Sequence, residues 1–182
     1  APWVAAYKWS ILCFIAVGFW NVVGAGLLGF SINTPIALYY MQGLNMTAAH
    51  GHAALFGVYG MLGIGLLLFC LRGLSNRLAW SDRLLAPMFW SLNIGLGMMV
   101  FISLVPAGIY QAWASVTKGM WFARSPEVVH SHFMETMVWL RVPGDIVFTI
   151  GVLFLAWFAI RLLMGEKRKQ PTPLPSGAVK QA

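Results

Sequence analysis

Long stretches without a single charged side chain constrain this sequence more than any other feature. No Asp, Glu, Lys or Arg occurs in residues 9–71, 84–117 or 146–160. A membrane-spanning helix needs about 20 predominantly apolar residues, and only 9% of the residues are charged, against about 25% in a typical soluble domain. We therefore predict an all-α integral membrane protein with four transmembrane helices. The predicted spans are residues 8–28, 47–71, 84–110 and 144–164.

Local signals suggest where these helices begin and end. Thr47 is a plausible N-cap for the second span, and Ser125-Pro126 is typical of a helix start. A polar, aromatic-rich loop is predicted after residue 110. Pro143-Gly144 is expected to break the last helix, because proline lacks a backbone donor. The segment before this break is then expected to lie near the membrane interface.

The ends of the chain differ from its membrane region, residues 1–165. Residues 166–182 are charged and rich in proline, which predicts a disordered tail. The chain begins with Ala1 and enters a spanning segment almost at once. We interpret it as the C-terminal part of a longer protein, whose upstream helices would be its partners together with the lipid bilayer.

Lys and Arg are distributed unevenly between the two predicted membrane faces. Nine lie on one side and three on the other, which by the positive-inside rule predicts a cytoplasmic C-terminus. Because topology explains the basic residues, the net charge of +7 does not indicate binding to nucleic acid. The inner set is Lys8, Arg72, Arg77, Arg83, Arg161, Lys167, Arg168, Lys169 and Lys180, and the outer set is Lys118, Arg124 and Arg141.

His50 and His52 lie near the outer end of the second predicted span. Side chains two residues apart on an α-helix point about 200° apart, so these histidines cannot close on one ion. If both bind metal, they bind two metals on opposite sides of one helix, as two iron porphyrins would require. Small neighbours such as Ala49 and Gly51 would let a flat macrocycle approach. Equally open is a pair of neutral histidines hydrogen-bonded to neighbouring helices.

Other polar residues near the outer face have simpler interpretations. His130 and His132 repeat the spacing, but they lie among acidic residues and are predicted to be interfacial. Arg141 and Asp145 are four residues apart and either form a local ion pair or leave Arg141 to bind haem propionate carboxylates. Both possibilities remain open, and Arg124 is a weaker candidate for the propionate role.

Four ordered sequence segments resemble one family. "GLNMTAAHGHAALFGVYGMLGIGL" resembles the histidine-bearing tenth helix of the respiratory nitric oxide reductase large subunit, in the haem-copper oxidase superfamily. "SLNIGLGMMVFISLVPAGIYQ" is similar to its next helix, "GMWFARS" to the following loop, and "WLRVPGD" to the start of its last helix. The resemblance covers essentially the whole chain except the tail, and it is closest to the quinol-oxidising subclass.

The resemblance implies a fold, two cofactors and a reaction. The four spans would belong to the C-terminal part of a bundle like subunit I of haem-copper oxidases. His50 would be the proximal ligand of a high-spin haem b, His52 an axial ligand of a low-spin haem b, and Arg141 a candidate contact for a propionate. The enzyme would be an oxidoreductase of the respiratory chain in the cell inner membrane. It would take electrons from quinol or cytochrome c and reduce nitric oxide to nitrous oxide during denitrification.

Departures from the family pattern set the limits of this hypothesis. In the family, three histidines and a glutamate on earlier helices hold a non-haem iron. This chain does not contain those helices and cannot supply these ligands. The chain alone is therefore expected to be inactive, with no catalytic residue assigned within it. The chain has Leu44 at a position where threonine is expected in many members of the family. The alternatives are a fragment of an oxygen-reducing terminal oxidase subunit I, which also carries the H-x-H pair, and a non-catalytic membrane remnant that binds no metal.

Overall fold

The computed structural model describes residues 2–74 and 80–164. Every regular element within these residues is a helix. Four helices are long and apolar enough to cross a membrane, and they are Lys8–Asn33, Asn45–Gly73, Asp82–Lys118 and His132–Leu162. This confirms the predicted all-α fold with four spans, which we call the first to fourth span. The tail predicted at residues 166–182 lies outside the described residues.

Short helices connect the spans at the end of the molecule that carries the histidines. Pro35–Met41 lies between the first and second spans, and Phe122–Arg124 and Pro126–Val129 lie between the third and fourth. A further short helix, Pro2–Ala6, precedes the first span. The first three spans each contain a π-helical segment, and these are Asn21–Leu28, Ala53–Gly60 and Met98–Leu104. The segment in the second span begins directly after His52, and such segments are frequent at functional sites.

The fourth span corrects the prediction of a break at Pro143-Gly144. The α-helix runs without interruption from His132 to Leu163, and its N-cap Ser131 accepts a hydrogen bond from the backbone of Met134. Gly144 packs so closely on the third span that an added Cβ would lie 2.9 Å from the Met99 backbone nitrogen. Packing against a neighbouring helix therefore outweighs the local effect of proline.

Two other predicted helix ends are also wrong. The second span begins at Asn45 rather than Thr47, and its N-cap is the apolar Leu44. The third span continues to Lys118 through the stretch predicted as a loop. Its last turns bury Gln111 and Ser115, which form hydrogen bonds with Asn45 of the second span and with the backbone of Tyr40, respectively.

The buried core lies where the four spans meet. The first span packs on the second, and the fourth packs along the third. Each span contributes a nearly fully buried side chain to this core, and these are Trp20, Met61, Leu92 and Phe158. Many large apolar side chains remain exposed on the outer surfaces of the spans, as expected where helices face lipid or other helices. The histidine-bearing segment Asn45–His52 packs between the first and third spans.

Candidate functional site

The two histidines of the second span face different neighbours. His50 contacts the first span at Gly24 and Gly29, whereas His52 contacts Arg141 of the fourth span. Ala49 is completely buried in the turn that carries both histidines. The helical twist therefore separates the two imidazoles, as their spacing predicts.

The His50 ring is held against the backbone of the first span. Its Nδ1 lies 3.0 Å from the carbonyl oxygen of Gly24. Because a carbonyl can only accept, this contact is a hydrogen bond only when Nδ1 carries the proton, and Nε2 of the neutral ring then keeps its lone pair. A Cβ added to Gly29 would lie 2.9 Å from Cε1 of the ring. Glycine at this position gives the imidazole room.

The His52 ring is fixed by two contacts that require the same tautomer. Its Nδ1 lies 2.9 Å from the carbonyl oxygen of Ala48, in the preceding turn of its own helix. Its Nε2 lies 3.1 Å from Nη2 of Arg141. A guanidinium can only donate, so Nε2 accepts while Nδ1–H donates to Ala48. Both contacts are satisfied together only by a neutral imidazole with the proton on Nδ1.

Arg141 bridges His52 and Asp145. Its Nε lies 3.5 Å from Oδ1 of Asp145, and the two side chains are 36% and 46% exposed. The local ion pair, one of the two possibilities left open by the sequence, is therefore present. The contact with His52 also places the guanidinium beside a candidate haem ligand, and the propionate role stays a prediction.

The remaining candidates from the sequence lie elsewhere. Arg124 donates to the carbonyl oxygen of Met120 at 2.6 Å and to that of Gln42, so its guanidinium joins the connection between the third and fourth spans to the connection between the first and second. His130 and His132 are exposed. Within residues 2–74 and 80–164, no group of three or more His, Cys, Asp or Glu side chains is placed to hold a metal ion.

Comparison with known proteins decides the family. The family model described as "Cytochrome C and Quinol oxidase polypeptide I" matches residues 2–147. The chain belongs to this haem-copper oxidase family. A nitric oxide reductase subunit of Stutzerimonas stutzeri is 30% identical over 162 residues, which is 84% of this chain and 32% of that protein. This haem-copper oxidase chain thus spans about a third of the length of the relative that it matches. The predicted relationship is confirmed, and the family indicates a multi-pass membrane oxidoreductase.

Membership of the haem-copper oxidase family implies haem cofactors, and the chemistry of the two histidines fits them. A metal-binding histidine almost always donates its second ring N–H to a carboxylate, a backbone carbonyl or water. The carbonyl oxygens of Gly24 and Ala48 are placed to fill this role for His50 and His52, and in both rings Nε2 keeps the lone pair that a haem iron would need. Arg141 lies on Nε2 of His52, so iron ligation there requires the guanidinium to move aside.

Two amide side chains of this haem-copper oxidase chain, one partly and one fully buried, were missed by reasoning from sequence. Asn93 accepts a hydrogen bond from Nε1 of the buried Trp20 at 2.9 Å, which joins the first and third spans. Gln111 accepts two hydrogen bonds from Asn45, at the start of the histidine-bearing helix. A signal was available, because a lone amide in a charge-free span usually has a partner on another helix.

Proposed function

We propose that this chain is the C-terminal part of a membrane oxidoreductase that reduces nitric oxide to nitrous oxide. In this proposal His50 and His52 each supply one axial ligand to a separate haem b, high-spin and low-spin respectively. One observation carries the assignment of ligands: both Nδ1–H groups donate to backbone carbonyls, which leaves two Nε2 lone pairs facing different neighbours of one helix. The similarity to the nitric oxide reductase of Stutzerimonas stutzeri supports the choice of substrate.

The residues of this chain hold and orient the proposed cofactors. The haem irons, when bound, would supply the one-electron chemistry for the overall reaction, in which two nitric oxide molecules, two electrons and two protons give nitrous oxide and water. The carbonyl oxygens of Gly24 and Ala48 fix the ring tautomers and increase the basicity of the ligands. Because His50 and His52 share one rigid helix, they also fix the two haems relative to each other.

The rest of the proposed enzyme comes from outside this chain. Upstream helices of the same subunit would provide the second axial ligand of the low-spin haem and the non-haem iron site. Quinol or cytochrome c would donate the electrons. The protein would lie in the cell inner membrane with its C-terminus in the cytoplasm, as the distribution of Lys and Arg predicts.

Production of the chain together with the upstream helices tests this function. We expect the purified protein to contain both high-spin and low-spin haem b and to consume nitric oxide under anaerobic conditions with a quinol or cytochrome c donor. Haem content, nitrous oxide release and oxygen uptake are the measurements. Oxygen reduction without nitric oxide reduction would instead assign the chain to an oxygen-reducing oxidase. A stable protein without a Soret band would mean a remnant that binds no metal.

Arg141 is proposed to contact a propionate of the low-spin haem. We expect Arg141→Leu to weaken retention of that haem by about tenfold, the low end of the effect of groups that support a metal site. Arg141→Lys should give a smaller loss, because lysine keeps the charge but cannot form a planar two-point contact. The measurement is the rate of haem transfer to an acceptor protein.

Arg124→Leu is the matched control for Arg141, since it removes another outer arginine whose contacts are backbone carbonyls. It should leave haem retention unchanged. Equal haem loss in Arg124→Leu and Arg141→Leu would contradict a specific propionate contact.

A further inference from the structure

Gln111 makes an unusual contact for a residue in a membrane-spanning helix. It is only 5% exposed, and its Oε1 accepts from the backbone nitrogen of Asn45 at 3.0 Å and from Nδ2 of Asn45 at 2.8 Å. Asn45 is the first residue of the histidine-bearing segment. A single buried carbonyl from the third span therefore satisfies two donors at the start of that helix.

This contact replaces a local helix cap. The first N–H groups of any helix have no partner within the helix, and the N-cap residue here is Leu44, which provides no side-chain hydrogen bond. An unsatisfied donor is costly in hydrocarbon surroundings. The helix that begins at Asn45 is therefore capped only when its first residue lies next to Gln111.

A second contact sets the distance between the same two helices. Gly108 lies three residues before Gln111, and a Cβ added to it would lie 2.5 Å from the backbone nitrogen of Met46. The backbones therefore touch at Gly108 and are joined by hydrogen bonds at Gln111. Close packing alone allows sliding, whereas hydrogen bonds to one residue fix the axial position of the histidine-bearing helix.

We propose that Gln111 is a positioning residue for both haem ligands. His50 and His52 follow Asn45 by five and seven residues, which is roughly 7.5 and 10.5 Å along the axis at a rise of 1.5 Å per residue. A shift or rotation of the helix start therefore moves both imidazoles. This inference rests on the proposed function, because it assigns to Gln111 an influence on groups that His50 and His52 would bind.

Three variants in the protein produced with its upstream helices test this role. Gln111→Met keeps the length of the side chain and removes the acceptor. We expect an altered low-spin haem spectrum and about tenfold faster loss of haem, as for supporting groups at metal sites. Gln111→Glu should restore the wild-type spectrum, because a carboxylate accepts both hydrogen bonds. Should Gln111→Met not accumulate, Gln111→Asn is measured instead, since its amide is one methylene too short to reach Asn45.

Ser115→Ala is the matched control. Ser115 is also buried in the third span, but its hydroxyl donates to the carbonyl oxygen of Tyr40 at 2.8 Å, in the short helix Pro35–Met41. It should leave the haem spectrum unchanged. A wild-type spectrum in Gln111→Met, or the same spectral change in Ser115→Ala, overturns the role of Gln111. A wild-type protein without haem overturns the proposed function itself and this role with it.

Discussion

His52→Ala should remove the low-spin haem b spectrum and leave the high-spin spectrum largely intact. The reason is the orientation of the rings, because Nε2 of His52 faces the fourth span at Arg141 while His50 packs on the first span at Gly24. Loss of a proposed direct ligand should weaken haem binding by more than the roughly 10–100-fold that is lost when a group supporting a metal ligand is removed. The measurement is the reduced-minus-oxidised spectrum, with electron paramagnetic resonance of the oxidised protein.

His50→Ala should give the converse result, with loss of the high-spin signal and of nitric oxide reduction. His130→Ala is the control, since His130 is exposed and should leave both spectra unchanged. If each ligand variant lost both haems equally while eluting as a folded protein in size-exclusion chromatography, separate ligation by the two histidines would be wrong.

The features predicted correctly from the sequence depend on short-range rules. Charge-free stretches of sufficient length specify four spans, whatever packs against them. The separation of His50 and His52 follows from the twist of one helix. The acceptor for His52 was not predicted, although it is local, because Ala48 lies one turn earlier in the same helix.

The missed features depend on contacts between residues far apart in the chain. Gly24 accepts from His50 across 26 residues, and no local pattern marks a backbone carbonyl as the acceptor for a histidine. Thr47 had the local signature of a cap, yet the acceptor at the helix start is Gln111, which lies 66 residues from Asn45. Capping rules consider only residues close in sequence to the helix start, so they cannot identify a cap that another span provides.

The misplaced break at Pro143-Gly144 has the same origin. Proline disfavours helix interiors because it removes one hydrogen bond and crowds the preceding turn, and this local penalty takes no account of packing against another span. Gly144 is buried and lies against Gly95 and Met99 of the third span. The favourable packing of the long helix offsets the lost hydrogen bond, so Gly144 marks a close helix crossing rather than a helix end.

Gly95→Ala should destabilise the protein strongly, because Gly95 lies at that crossing. A Cβ at this position would lie 2.5 Å from the backbone nitrogen of Phe148 and 2.8 Å from the carbonyl oxygen of Gly144. Backbone atoms cannot rotate away as a flexible side chain can, so the third and fourth spans must separate. Overpacking of this kind costs about 1–3 kcal/mol or more. The measurement is the thermal unfolding midpoint in detergent.

Gly97→Ala provides the matched control, because it makes the same chemical change two residues further along the same helix. A Cβ at Gly97 would meet nothing within 4 Å, and alanine is favoured over glycine within a helix by roughly 0.5–1 kcal/mol. Gly97→Ala should therefore be neutral or slightly stabilising. Equal unfolding midpoints for the two variants would contradict a close contact between the third and fourth spans at Gly95. Arg141 and Asp145 lie on either side of Gly144 in the chain. Separation of the third and fourth spans in Gly95→Ala should therefore also speed the loss of the proposed low-spin haem.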